Sequence, residues 1–166
     1  QLYIYDQNSS LSVHTEGFIS ARDNNWVVSL DTQSDAADLE KVFYFWPENH
    51  KPKVRKWVDD HFEDSKLFDI SMQMEMENGL APKLSWSFAF SETSFSPLKG
   101  LPLIEQSNGH FVSKDYATSV ILEEGIIFDD TGKVIDVAGS SFFIKDSRIK
   151  PSPAEILISA DGALSS

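Results

Sequence analysis

The sequence contains no cysteine. This absence excludes disulfide bonds, thiol nucleophiles and thiolate-held metals, and it leaves the cellular compartment open because a domain of this size can hold its core without disulfides. The sequence also lacks an apolar run of the ~20 residues that a membrane-spanning helix needs, so we expect no membrane partner.

Common catalytic signatures are missing as well. The sequence contains no phosphate-binding loop, no dinucleotide-binding fingerprint, no nucleophile elbow and no paired-histidine zinc motif. Its carboxylates are so numerous that pairs of them are expected by chance. We therefore predict no cofactor and no bound metal, and we favour a non-enzymatic role over an active site assembled from scattered residues.

Basic residues are scarce. Fourteen Lys and Arg stand against 26 Asp and Glu, for a formal net charge of -12. This balance argues against binding to nucleic acid or to an anionic membrane, and it favours fast encounter with a basic protein. A merely solubilising acidic surface is the alternative.

The length and apolar content are those of one globular domain. At 166 residues with 41% hydrophobic side chains, the chain is long enough to bury a core. Pro151 and Pro153 interrupt the pattern near the end. We therefore predict a single antiparallel β-rich domain over 1–150, with a C-terminal edge strand and a loose tail over 151–166.

The clearest local pattern is a hairpin. Apolar and polar residues alternate from Phe68 to Glu77 and again from Leu84 to Ser91, which is typical of strands with one buried face. A five-residue loop from Asn78 to Pro82 would place Met74 opposite Trp86 and Glu77 opposite Lys83. We expect this hairpin to form the main part of the core.

The remaining patterns add further hairpins and a helix. We predict an amphipathic helix near 52–63, a second helix beginning within Ser34 to Glu40, and a doubly covered strand from Val42 to Trp46. The segment from Thr93 to Asn108 has the composition of a long connection. The predicted fold is mainly β, an antiparallel β-sandwich or a curved sheet built from hairpins with one short helix; α+β is the alternative class.

The predicted helix at 52–63 carries its charges in the order opposite to the one that the helix macrodipole prefers. Basic residues stand at its start: Lys51, Lys53, Arg55 and Lys56. Acidic residues stand at its end: Asp59, Asp60, Glu63 and Asp64. The basic start is a candidate anion site, and the acidic end is a candidate docking site for a basic partner. A plain solvated face is the alternative to both.

Two functions follow as hypotheses. The first is a non-catalytic acidic protein-binding domain, such as an inhibitor, immunity-type protein or adaptor, that recognises a basic partner through the acidic end of the helix. The alternative is a β-sandwich module that binds a carbohydrate or another small ligand through exposed aromatic residues. The candidates for that role are Phe43, Tyr44, Trp46 and Trp57.

Overall fold

The fold is known from a computed structural model that describes residues 2–5, 12–22, 25–46, 48, 52–62, 65–96, 100–149, 151 and 153–161. The first half of the chain contains β1 (Leu2–Tyr5), β2 (Ser12–Arg22), β3 (Asn25–Asp38), α1 (Leu39–Phe45), α2 (Pro52–His61) and β4 (Lys66–Glu77). The second half contains β5 (Lys83–Phe95), β6 (Ile104–Lys114), β7 (Ala117–Phe128), β8 (Val134–Asp136), β9 (Ser141–Ile144) and β10 (Ala154–Leu157).

The ten strands form one antiparallel sheet in the order β1-β2-β3-β4-β5-β6-β7-β9-β10, and β8 pairs with β7 beside β9. The prediction of a mainly β fold built from hairpins is confirmed. Hydrogen bonds join all these strands, so the architecture is a single sheet and not two separately bonded sheets. The predicted C-terminal edge strand is present as β10, which pairs with β9.

The predicted alternation correctly gives the faces of β5 from Leu84 and of β4 from Ile70 onward. Before the irregularity at Asp69 it is wrong, because Leu67 is buried opposite Phe90 and Phe68 lies on the other face. One face of the sheet, which we call the inner face, carries the core. Its buried residues include Ile70, Met72, Leu84, Trp86, Phe88, Phe90, Phe111, Val120, Leu122 and Phe142. The two helices pack on this face.

The predicted register of the β4–β5 hairpin is wrong by two residues. Met74 lies opposite Leu84 and Met72 opposite Trp86, while Lys83 faces Glu75. The shift preserves the faces because side chains alternate with a period of two. The loop between the paired residues Glu75 and Lys83 is thus longer than predicted, and within it the Leu80 amide donates a hydrogen bond to the Glu77 carbonyl oxygen.

The residues predicted as a strand from Val42 to Trp46 lie in α1 and directly after it. The second predicted helix does begin within Ser34 to Glu40, at Leu39, but the residues up to Asp38 are the end of β3. Within α1, Leu39 and Val42 are buried, as is Trp46 just after it, whereas Tyr44 is exposed. This spacing follows one helical face. The five bulky residues from Val42 concealed this period because Tyr44 is apolar enough to resemble a core residue.

The predicted amphipathic helix is confirmed as α2. Its apolar side contains Val58, with Trp57 half-buried beside it. Trp57 stacks on Phe142 with ring centroids 5.9 Å apart. The ring of Phe62, just after the helix, packs against the rings of Phe90 and Phe95, with centroids 5.4 and 5.0 Å away. These contacts fix α2 across the strands from β5 to β9.

Irregularities in the pairing of β4, β5 and β6 bend the sheet. Asp69, Glu92 and Gln106 have positive φ angles of 50°, 51° and 52°. Each lies at a register shift, and β-bulges of this kind bend a strand and increase its twist. The bulge at Glu92 also explains why the connection predicted from Thr93 to Asn108 is wrong: β5 extends to Phe95 and β6 begins at Ile104. The bulge interrupts the alternation by which a strand is recognised.

Candidate binding surfaces

The first candidate surface is an open groove of about 560 Å³ between the beginning of α1 and the end of α2. We call it the acidic groove. It is lined by Asp38, Leu39, Glu40, Phe43, Asp59, Phe62 and Ser65. The carbonyl end of the α2 dipole adds negative potential at this place, and the amide end of α1 at Leu39 adds positive potential that opposes it. The groove therefore combines carboxylates with an apolar surface.

Two nearby carboxylates already have cationic partners. The Asp38 carboxylate lies 3.1 Å from the Lys41 ammonium, and Lys56 donates a hydrogen bond of 2.7 Å to Asp60. The hydrogen bond to Asp60 raises the pKa of Lys56 above its usual value. Among the described residues, Glu40 and Asp59 have no ion pair, so these two carboxylates are the ones available to a cationic ligand.

The acidic end predicted as a docking site is only partly described. Asp59 and Asp60 are exposed on α2, whereas Glu63 and Asp64 lie outside the described residues. Asp38 and Glu40, which border the same groove, were not identified from the sequence. They precede Asp59 by about twenty residues, and only the packing of α1 beside α2 brings them together.

The predicted anion-binding residues point to different neighbours. The Arg55 guanidinium lies 4.5 Å from the ring centroid of Phe43, in a cation–π contact. Lys56 pairs with Asp60 on the other side of the helix, and Lys53 is exposed. Lys51 lies outside the described residues. The structure thus brings no two of the described cations to a common anion.

Three of the four predicted ligand-binding aromatics, Phe43, Tyr44 and Trp46, line one shallow surface pocket, whereas Trp57 is not part of it. Trp46 is only 1% exposed and belongs to the core, which corrects its prediction as an exposed residue. Phe43 and Trp57 are half-buried under Arg55 and against Phe142. Tyr44, at 86% exposure, is the member that remains open to solvent.

The second candidate surface is a partly open apolar cleft of about 90 Å³ at the other end of the core. We call it the apolar cleft. Its lining residues are Phe95, Leu101, Pro102, Ile104, Val120, Leu122, Ile127, Val137, Ser140, Ser141, Phe142, Ile156 and Ile158. Its apolar lining is typical of small-molecule sites, but its volume is below the roughly 300 to 1,000 Å³ of such sites. No sequence pattern indicated this cleft, because its lining residues come from separate strands and loops.

One wall of the apolar cleft is held by a pair of reciprocal hydrogen bonds. The Ser140 hydroxyl donates to the Ser159 carbonyl oxygen and accepts from the Ser159 amide, each over 3.1 Å. A bridge between Asp136 and Asp161 continues the attachment. These contacts fix the segment that carries Ile156 and Ile158 next to β9.

The described residues form no cluster of three or more His, Asp or Glu side chains suited to holding a metal ion. His14 Nε2 lies 3.1 Å from Glu16 Oε1, and His110 Nε2 lies 3.0 Å from Glu123 Oε1. Both pairs are at the surface. None of the described helices has the length and apolarity required to cross a membrane.

No protein-family model, curated protein or solved structure matches the chain.

Proposed function

We propose that this chain is a non-catalytic binding domain that receives a basic segment of a protein partner in the acidic groove. The observation that supports the proposal is the convergence of Glu40 and Asp59, from two different helices, beside the apolar side chains of Phe43 and Phe62. A lysine or arginine of the partner pairs with these two carboxylates.

The charge of the whole molecule adds to this local arrangement. A net charge of -12 accelerates encounter with a basic protein and repels acidic ones. The acidic end of α2 is electrostatically unfavourable for the isolated helix. A bound cation at Asp59 reduces this unfavourable interaction, so binding of the partner also stabilises α2.

The test begins with a pull-down from extract of the native source, using the intact chain as bait, followed by measurement of the affinity of the retained basic protein. Replacing Glu40→Gln together with Asp59→Asn removes both available carboxylates. We expect about a tenfold loss of affinity and a weaker salt dependence. The control, Asp130→Asn with Glu155→Gln, removes the same charge from exposed positions away from the groove and should change affinity less than about twofold.

Equal losses in the two double variants would show that only net charge matters and would overturn the groove as the site. Failure to retain any basic protein under low-salt washing would overturn the function itself.

A second candidate function is the binding of a small apolar ligand, supported by the apolar cleft. Its lining is nearly all aliphatic or aromatic, and Ser140, one of its two polar side chains, is already hydrogen-bonded to Ser159. The cleft therefore suits an alkyl or ring-shaped group better than a carbohydrate, which needs many hydrogen-bonding partners.

Displacement of the fluorescent probe 1-anilinonaphthalene-8-sulfonate by lauric acid tests this candidate. Adjacent residues of β10 provide a matched pair of variants, because Ile156 lines the cleft and Leu157, on the other face of the strand, does not. We expect Ile156→Lys to weaken binding about tenfold and Leu157→Lys to leave it unchanged. Identical behaviour of the two variants would contradict binding in the cleft.

A further inference from the structure

The dipeptide Asn-Gly occurs twice in the sequence, at Asn78-Gly79 and at Asn108-Gly109. In such a pair the backbone nitrogen of the glycine can attack the side-chain amide carbon of the asparagine, because glycine has no Cβ to obstruct the approach. The attack requires rotation about the Cα–C bond of the asparagine, and the glycine amide must lose its proton to water. The two dipeptides therefore place the same chemical groups in two different structural settings.

The first dipeptide lies in the exposed loop between β4 and β5. The Leu80 amide donates a hydrogen bond of 3.0 Å to the Glu77 carbonyl oxygen, so Asn78 and Gly79 are the central residues of a β-turn. Both are exposed, and a Cβ at Gly79 would have no atom within 4 Å. In the part of the chain that the structure describes, the Gly79 amide has no hydrogen-bond acceptor. Water and the attacking group thus have open access to each other.

The second dipeptide lies inside β6, which pairs with β5 on one side and β7 on the other. The Asn108 side chain is held at both ends, because its Oδ1 accepts a hydrogen bond of 3.0 Å from the Glu92 amide and its Nδ2 donates to the Glu124 carboxylate. Gly109 is buried, and the Ile121 carbonyl oxygen occupies the place where a Cβ would point. Neither rotation of the asparagine nor access of water to the glycine amide is available here.

We propose that Asn78 is a site of spontaneous covalent modification. The Gly79 nitrogen loses its proton and forms a bond to Cγ of Asn78, while the bond from Cγ to the side-chain nitrogen breaks and ammonia leaves. Water then adds to either carbonyl of the cyclic imide and opens it, which gives aspartate or isoaspartate. The loop follows the end of β4, whereas Ser65, which lines the acidic groove, precedes its start. The modification therefore does not depend on the proposed function.

The modification changes both charge and backbone in the loop. Either product places a carboxylate directly after Glu77, in a chain that already has a net charge of -12. In isoaspartate the chain continues through the side-chain carbon, so the turn gains one backbone atom. The Asn78 amide donates a hydrogen bond of 3.1 Å to the Trp26 carbonyl oxygen. The altered turn therefore lies where the β4–β5 loop is attached to the beginning of β3.

The test compares the two dipeptides in the folded and the unfolded chain. The intact protein is kept at mildly alkaline pH, with a parallel sample in urea, and mass spectrometry of its peptides follows replacement of the side-chain amide by a carboxyl group. In the folded protein we expect Asn78 to react at least about tenfold faster than Asn108. In urea, where both dipeptides are exposed, the two rates should agree within about threefold.

A pair of variants identifies the product. A protein isoaspartate methyltransferase transfers a labelled methyl group from S-adenosylmethionine to isoaspartate, so it should label the wild-type protein after incubation. Asn78→Gln should lower this labelling at least about tenfold, because glutamine would have to close a larger ring. Asn108→Gln is the matched control and should keep the wild-type labelling within about twofold.

Equal rates at Asn78 and Asn108 in the folded protein would overturn the proposal, since the structure would then not select the site. An Asn78 that reacts in urea and stays intact in the folded chain would overturn it as well. Labelling that persists in Asn78→Gln would place the isoaspartate at another residue and would have the same result.

Discussion

The indole rings of Trp46 and Trp86 stack with centroids 5.3 Å apart and an interplanar angle of 20°. Trp46 follows α1, and Trp86 is on the inner face of β5, so this contact attaches the first helix to the middle of the sheet. It joins two parts of the chain that no local sequence pattern connects.

Truncation of Trp46 should therefore be costly. We expect Trp46→Ala to lower the free energy of unfolding by about 3 to 5 kcal/mol, as for other large core aromatics. Tyr44→Ala, two residues away and exposed, should cost less than about 0.5 kcal/mol. Urea denaturation of both variants measures the difference. Similar destabilisation by the two would mean that Trp46 is not a core residue.

At the bulge of Gln106 we predict a substitution that stabilises the fold. A non-glycine residue at φ 52° is strained by about 1 to 2 kcal/mol, and glycine removes this strain at a smaller entropic cost. We expect Gln106→Gly to stabilise the fold by roughly 0.5 to 1 kcal/mol. The control Ser85→Gly, in the regular part of β5, should destabilise by about 0.5 to 1 kcal/mol. Thermal and chemical denaturation would detect a sign change between the variants; destabilisation by both would contradict the conformation at the bulge.

Removing the hydroxyl of Ser140 should loosen one wall of the apolar cleft. Ser140→Ala deletes both hydrogen bonds to Ser159 and should cost about 1 to 2 kcal/mol. Ser159→Ala is the matched control. Both hydrogen bonds use backbone atoms of Ser159, so this substitution leaves them in place. Hydrogen exchange should accelerate in the segment around Ile156 and Ile158 in the first variant and not in the second. Unchanged exchange in Ser140→Ala would show that other contacts hold the segment.

The turn between β7 and β8 should make the stability of the fold depend on pH, through the carboxylate of Asp129. Its carboxylate accepts hydrogen bonds from the Thr131 hydroxyl at 2.6 Å and from the Thr131 and Lys133 amides at 2.8 and 2.9 Å. The hydrogen bond from the Thr131 side chain, followed by those from the backbone, lowers the pKa of Asp129 below its usual value of 3.8.

Because the pKa is lowered in the folded state, the stabilisation is fully present above the unfolded value of 3.8 and is lost as the pH falls through the lower folded value. We expect Asp129→Asn to reduce the loss of stability seen on acidification across this range. Asp130→Asn, whose carboxylate is not part of this set of hydrogen bonds, should leave the wild-type pH dependence intact. Chemical denaturation at a series of pH values measures both, and an unaltered profile in Asp129→Asn would refute the assignment.

The parts of the fold that could be predicted from the sequence are those set by local periodicity. The alternation in β4 and β5 identified the inner face, and the spacing of Val58 and Phe62 identified α2. The hairpin register was missed because the loop between Glu75 and Lys83 is two residues longer than the predicted one, and a shift of two residues leaves the alternation unchanged. The bulge at Glu92 concealed the end of β5, since one extra residue reverses which positions face inward.

The candidate sites were harder to predict because they depend on contacts between distant segments. Asp59 was recognised as part of an acidic run, but its position beside Glu40 depends on how α1 packs next to α2. The apolar cleft takes its lining from segments that each resemble ordinary core, such as those of Val120 and Phe142. No spacing rule shows that their side chains leave space between them.

The order of the strands has a consequence for synthesis of the chain. From β1 to β7 each strand pairs with the next one in sequence, so a growing chain can add strands one after another. The longest delay is between β3 and β4, where both helices must emerge before Asp38 can meet Lys66. The wall of the apolar cleft formed by Ile156 and Ile158 is made last. A chain released before these residues are added would have most of its sheet but would leave the buried side chains behind β10 exposed to solvent.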